Sequence, residues 1–143
     1  MTTLELTKNE YTLSTDPEKI QWPVVHRLLL GSYWANDRPP QRTEIGAAHS
    51  MVFGIYHKGT QVGFARVITD QAIMAWLLDV IIDENHRGKG LGTWLIGSIV
   101  ALPELQGLRR FMLTTADAHG LYRKFGFEVV AEPGILMERR ANG

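Results

Sequence analysis

Residues 87–92 read Arg-Gly-Lys-Gly-Leu-Gly, which sets three glycines and two cations at the entrance of an amphipathic segment. The first turn of a helix leaves backbone N–H groups without partners and carries partial positive charge. Glycine there lets a ligand reach the backbone with no Cβ in the way. Arg87, Gly88, Lys89, Gly90, Leu91, Gly92 and Thr93 therefore form a candidate site for a phosphate or pyrophosphate. The dipole supplies only about 0.3–1 kcal/mol at an exposed helix end, so other contacts must contribute. Two better-known glycine loops fail on spacing. A P-loop ends in Gly-Lys-Ser/Thr, and Gly88-Lys89-Gly90 does not. A dinucleotide fingerprint needs glycine at its sixth place, which is Thr93 counted from Gly88 and Leu95 counted from Gly90. A flexible turn ahead of a helix is the plainer alternative, and the two adjacent cations count against it.

The elements around this loop follow from periodicity. Ile73 to Ile82 is a long apolar strand interrupted by Asp79, and Asp83 to Lys89 is a loop. Gly90 to Leu102 is a helix with Leu91, Leu95, Ile96, Ile99 and Leu102 on one side, stopped by Pro103. Arg110 to Thr114 is the next strand, and Ala118 to Phe125 is a short helix that Asp117 is placed to cap. Upstream, Tyr11 to Ser14 reads as a strand, and Asp16-Pro17 starts a helix through Ile20, Val24, Val25, Leu28 and Leu29 that ends near Gly31. Ser32 to Arg42 is irregular, and a short helix follows from about Gln41 to Ala48. Met51 to His57 and Gln61 to Ile68 form a hairpin about Lys58-Gly59-Thr60. Phe127 to Ala131 and Ile135 to Arg139 read as final strands. This order predicts an α/β (α+β) fold, a mixed sheet flanked by helices. The unit from Ile73 to Thr114 is expected to be a right-handed parallel crossover.

Composition sets the remaining bounds. The chain has 143 residues, which suits a single domain over 1–143. Its formal net charge is zero, so no general affinity for nucleic acid is indicated. There is no cysteine, which excludes disulfides, thiolate metal ligands and a cysteine nucleophile. The five histidines have no spacing that suggests a shared metal. Met1 to Glu10 lacks the apolar core of a signal peptide, and no apolar run approaches membrane-spanning length. The default expectation is a cytoplasmic protein with no metal, no membrane and no nucleic-acid partner.

At this point the sequence resembles the GNAT superfamily of N-acetyltransferases. That family carries Arg/Gln-x-x-Gly-x-Gly/Ala between its fourth strand and the next helix, and Arg87, Gly90 and Gly92 match in register. Its leucine-tyrosine-x-x-x-glycine-phenylalanine segment is similar to Leu121-Tyr122-Arg123-Lys124-Phe125-Gly126-Phe127. The resemblance is strong over 51–127. It departs where many members have asparagine seven residues before the tyrosine, because Thr115 stands there.

The resemblance implies a mostly antiparallel twisted sheet with a central parallel strand–helix–strand crossover. It implies acetyl-CoA as cosubstrate, with its pyrophosphate on residues 88–93 and its pantetheine arm beside Val80, Ile81 and Ile82. Tyr122 becomes the candidate acid for the leaving thiolate, and backbone N–H groups near Val80 become candidates to polarise the thioester carbonyl. Asp79 is a candidate base, an anchor for the substrate's ammonium, or a structural partner of Arg66. Glu44 and Glu138 are further carboxylates with no assigned place. His86 lies beside the loop, His119 shares the tyrosine's helix, and Arg123 and Lys124 suit a solvated face. Trp34, in the irregular segment, is placed to line the acceptor site, whereas Trp76 and Trp94 suit the core. The leading expectation is direct transfer of acetyl to an amine of unspecified identity, with a homodimer through the last strand as an open option. A non-catalytic acyl-CoA-binding or sensing module is the competing reading. A nucleotide-binding protein is the third, weakened by the failed fingerprints.

Overall fold

A computed structural model describes residues 3–141. Six strands form one sheet in sequence order: β1 (Glu5–Lys8), β2 (Tyr11–Ser14), β3 (Met51–His57), β4 (Thr60–Thr69), β5 (Met74–Ile82) and β6 (Arg110–Met112). Every neighbouring pair is antiparallel except β5 and β6. The crossover between those two carries α3 (Leu91–Val100), as the strand–helix–strand pattern requires. The other helices are α1 (Trp22–Leu30), α2 (Pro40–Ala48) and α4 (His119–Arg123).

Strand alternation divides the core in two. Phe53, Val67, Ala75 and Leu77 pack with Leu91, Leu95, Ile96 and Ile99 of α3. Val52, Phe64 and Ile81 pack with Val25, Leu28 and Leu29 of α1 and Ala47 of α2. The sheet is therefore covered on both faces, and each fully buried Leu, Ile or Phe contributes about 1.5–3 kcal/mol.

Several expected elements differ. The helix expected from Asp16 onward is broken. Asp16 caps a 3-10 turn over Pro17–Lys19, and α1 starts afresh at Trp22. Pro23 explains the restart, because its missing N–H and its ring are tolerated only in a first turn. β1, which sequence periodicity did not reveal, pairs with β2 from Glu5↔Ser14 to Lys8↔Tyr11. Of the N-terminal stretch discussed above, Met1 and Thr2 lie outside the described residues.

The two strands expected after Phe127 are corrected outright. Residues 127–132 form no ladder, and Pro133–Ile135 is a 3-10 turn. An alternating pattern yields a strand only where a partner edge receives it, and β6 offers just three residues. Phe127 instead packs its ring edge-on to Phe111 at 5.4 Å. β6 is consequently the last strand among the described residues. Among the described residues, no helix is long and apolar enough to cross a membrane.

Candidate active site

β5 and β6 separate part-way along. Their ladder runs from Met74↔Arg110 to Trp76↔Met112 and stops there, while β5 continues to Ile82. Residues 77–82 thus have no strand on that side, a splay that sequence periodicity does not encode. On the other side of β5 the register slips. Phe64 faces Ile81 and Arg66 faces Leu78, so Asp79 and Val80 together oppose Ala65. Asp79 sits in the bulge at φ 55°, a left-handed conformation that Asp tolerates better than most residues.

The splay opens a cleft with two arms. One arm, of about 600 Å³, runs along Val80, Ile81 and Ile82 to Arg87, Gly88, Gly90, Leu91, Gly92 and Thr93. All the residues expected to hold a cofactor line it except Lys89, which is exposed and outside the wall. Gly88 and Gly90 have φ of 77° and 78°, so the chain takes two left-handed turns into α3 that other residues would resist. Nothing lies within 4 Å of where a Cβ would stand at either position, which leaves the backbone open to a ligand. Arg87 folds back, its Nε donating to the carbonyl of Ile82 at 3.1 Å. His86 lines the same arm, and its Nδ1 is 2.8 Å from the hydroxyl of Tyr11.

The other arm, of about 590 Å³, is walled by Leu78, Asp79, Arg38, Leu113 and residues 114–118. The two arms share Tyr33, Trp34, Val80, Asp117, Ala118 and Tyr122. Tyr122 thus stands at their junction with 8% of its surface exposed. Burial pushes its phenol pKa up and the charge of Asp117 adds to the rise, so the hydroxyl is protonated at neutral pH.

Local chemistry explains how Tyr122 is held. Thr115 Oγ1 accepts from the N–H of Ala118 at 3.0 Å, closing the turn into α4. Asp117, expected as the cap, makes no such bond, and its carboxylate is free to face the cleft. Gly97 lets the ring of Phe125 lie against α3, where an added Cβ would stand 3.1 Å from Cε1. α4 is thereby drawn onto α3 with Tyr122 inward. Opposite, the hydroxyl of Ser32 donates to the carbonyl of Leu29 at 2.7 Å and accepts from the N–H of Ala35 at 3.1 Å. Ser32 and Ala35 are both buried, which turns Tyr33 and Trp34 outward as an edge-to-face pair at 5.3 Å on the rim.

Asp79 has the structural partner expected for it and a second one. Arg66 Nε donates to Oδ2 at 2.8 Å. Arg38 Nη1 donates to Oδ2 at 2.8 Å and its Nη2 to Oδ1 at 3.0 Å. The carboxylate's side chain is 1% exposed. Burial alone pushes its pKa up, but the two guanidiniums outweigh that and hold it below the usual carboxylate range. Ser50 Oγ accepts from Arg66 Nη1 at 3.1 Å and braces that guanidinium.

The other singled-out groups lie elsewhere. Glu44 pairs with His26 at 2.9 Å, Glu138 with Arg140 at 3.0 Å, and Arg123 with Glu128 at 3.6 Å. His119 borders a separate apolar recess beside Phe111 and Phe127. Among the described residues there is no group of three or more His, Cys, Asp or Glu that could hold a metal ion. Arg38 and Tyr33 escaped sequence reasoning. The only signal for Arg38 was indirect: a carboxylate inside an apolar strand demands cations, and Arg66 is one of two.

A family model described as "Acetyltransferase (GNAT) family" matches residues 18–127. A Gibberella zeae protein named for an inferred acetyltransferase activity is 33% identical, the match covering 82% of this chain and 78% of that protein. A crystal structure of an inferred GNAT-family acetyltransferase from Xanthomonas campestris superimposes with a TM-score of 0.88 at 43% identity, over 92% of this chain and 93% of that one. A GNAT acetyltransferase from Elizabethkingia anophelis, solved with acetyl-CoA bound, shares the fold at a TM-score of 0.67 and 14% identity, over 86% of this chain and 79% of that one.

Proposed function

The chain belongs to the GNAT family of acetyltransferases, and on that premise we propose that it transfers acetyl from acetyl-CoA directly to a primary amine. The observation that supports this most is the meeting of two arms at Val80 and Tyr122. One arm ends on the glycine entrance of α3, which suits the diphosphate of a coenzyme. The other leads away from the junction and suits an acceptor.

In this reading the thioester lies beside Val80, where the bulged backbone offers N–H groups to the carbonyl oxygen as charge develops. The amine nitrogen forms a bond to the carbonyl carbon, the carbon–sulfur bond breaks, and the thiolate takes a proton from Tyr122; the proton that the amide nitrogen then sheds returns through cleft water to the tyrosinate. The raised pKa of that phenol keeps the proton available at neutral pH. Such acid catalysis is worth about 10²–10⁴-fold.

The amine must first lose a proton. For a lysine-like ammonium of pKa about 10.4, this costs roughly 4–5 kcal/mol at pH 7. Asp79 is a poor agent for it, because both its oxygens are bonded to guanidinium and its pKa is held down. We assign Asp79 to fixing Arg38 and assign proton removal to water in the open cleft.

The test combines two measurements. Acetyl-CoA is expected to raise the melting temperature, and a panel of primary amines is expected to release free thiol from it. Stabilisation with no amine-dependent thiol release would leave only an acyl-CoA-binding module.

A further inference from the structure

We propose that the acceptor is an amine that also carries a carboxylate, its ammonium turned toward Asp117 and its carboxylate toward Arg38. This rests on the acetyltransferase reading of the cleft. The charge arrangement carries it. Arg38, Arg66 and Asp79 form a cluster of two cations and one anion, so the cluster has an excess positive charge. Arg66 is 11% exposed and braced by Ser50, away from the cleft wall. Arg38 is 26% exposed and lines the acceptor arm, so the excess charge reaches the cavity through it. Both oxygens of Asp79 already accept from guanidinium, and Arg38 Nη1 also lies 3.5 Å from Thr43 Oγ1, whereas the Nε of Arg38 has no hydrogen-bond partner among the described residues. A guanidinium with a spare donor and an uncompensated charge favours a carboxylate.

The opposite charge stands elsewhere in the same arm. Asp117 makes no salt bridge or hydrogen bond through its side chain among the described residues, and it lines both arms beside Tyr122. The donor arm contributes Arg87 and His86 instead, so the unpaired negative charge at the junction is that of Asp117. The ammonium is therefore drawn to the place where the thioester waits. Leu78 and Leu113 line the same arm beside Thr114 and Thr115, with Tyr33 and Trp34 on the rim, which leaves room for an apolar or ring-bearing side chain. The arm is complementary to a molecule that carries both charges and an apolar portion.

The experiment compares matched acceptors: amino acids against the amines that remain when their carboxyl group is removed, each assayed by thiol release. The expected result is a kcat/KM at least tenfold higher for the carboxylate-bearing member, expressed mainly in KM. Arg38→Gln, which leaves the Arg66–Asp79 pair in place, is expected to collapse that preference, and Arg38→Lys to restore part of it. Asp117→Asn is expected to raise KM for the amine about threefold to tenfold, with Asp117→Glu nearer to wild type. Equal or faster turnover of the decarboxylated amines overturns the proposal and leaves the acetyltransferase reading standing. Binding of acetyl-CoA with no thiol release for either class overturns both.

Discussion

Arg38 grips both carboxylate oxygens of Asp79, with Nη1 2.8 Å from Oδ2 and Nη2 3.0 Å from Oδ1. This pair joins the irregular segment before α2 to the bulge in β5, and Arg66 joins β4 to the same carboxylate. Removing the anion leaves two half-buried to buried guanidiniums uncompensated. Asp79→Ala is expected to lower stability by about 3–5 kcal/mol, the usual range for breaking a buried ion pair from one side. Urea unfolding at neutral pH measures it, and a loss below about 1 kcal/mol would show that the cluster does not hold the bulge.

The same carboxylate makes the fold acid-sensitive in a defined window. Its folded pKa lies below the ordinary carboxylate range. Its contribution is therefore complete above about pH 4 and fades as pH falls through the lower folded value. Asp79→Asn, which also suits the left-handed backbone, is expected to flatten the loss of stability below about pH 4. Parallel slopes for the variant and the wild type over pH 2–5 would remove Asp79 from the acid response.

At the other end of the cleft, Gly90 has φ of 78° with open space around it. Gly90→Ala is expected to cost about 1–2 kcal/mol of stability through backbone strain alone. Gly90→Glu adds a carboxylate where the diphosphate is proposed to lie. It is expected to weaken acetyl-CoA at least tenfold beyond the alanine variant, as read by calorimetric titration. Equal affinities in the two variants would move the diphosphate off this loop.

Tyr122→Phe keeps the ring that packs at 6.0 Å from Phe127 and deletes only the hydroxyl. Turnover is expected to fall about 10²–10⁴-fold while the KM for acetyl-CoA changes little, since the acid acts on the leaving thiolate and not on the bound donor. Unchanged kcat would take the acid role from Tyr122.

The glycine loop and the tyrosine helix that line the cleft were legible because they are local. The spacing of Arg87, Gly90 and Gly92 and of Leu121, Tyr122 and Phe127 fixes a loop and a helix within a short stretch of chain. β3, whose pattern is self-contained, matches its expected bounds Met51–His57. The arm walled by Arg38 and Asp79 depends on tertiary contacts. Arg38 meets Asp79 across 41 positions of sequence, and no period announces such a meeting. The splay of β5 from β6 is a property of two strands together, so the strand pattern of either one cannot reveal it. The final strands failed for the converse reason. Val129 and Met137 have strand-like neighbours in sequence, yet they stay 60% and 96% exposed because no edge takes them up. Thr115 stands at the position where the sequence departs from the family pattern, and it closes the turn ahead of α4, while no side chain caps the helix itself.

The most direct test of acetyl transfer in this cleft counts both products in one reaction. Free thiol and N-acetylated amine, quantified together from acetyl-CoA and an amino-acid acceptor, are predicted to appear in equal amounts and only when enzyme and amine are both present. Thiol release that is independent of the amine, or an acetylated product missing while thiol accumulates, would contradict the account.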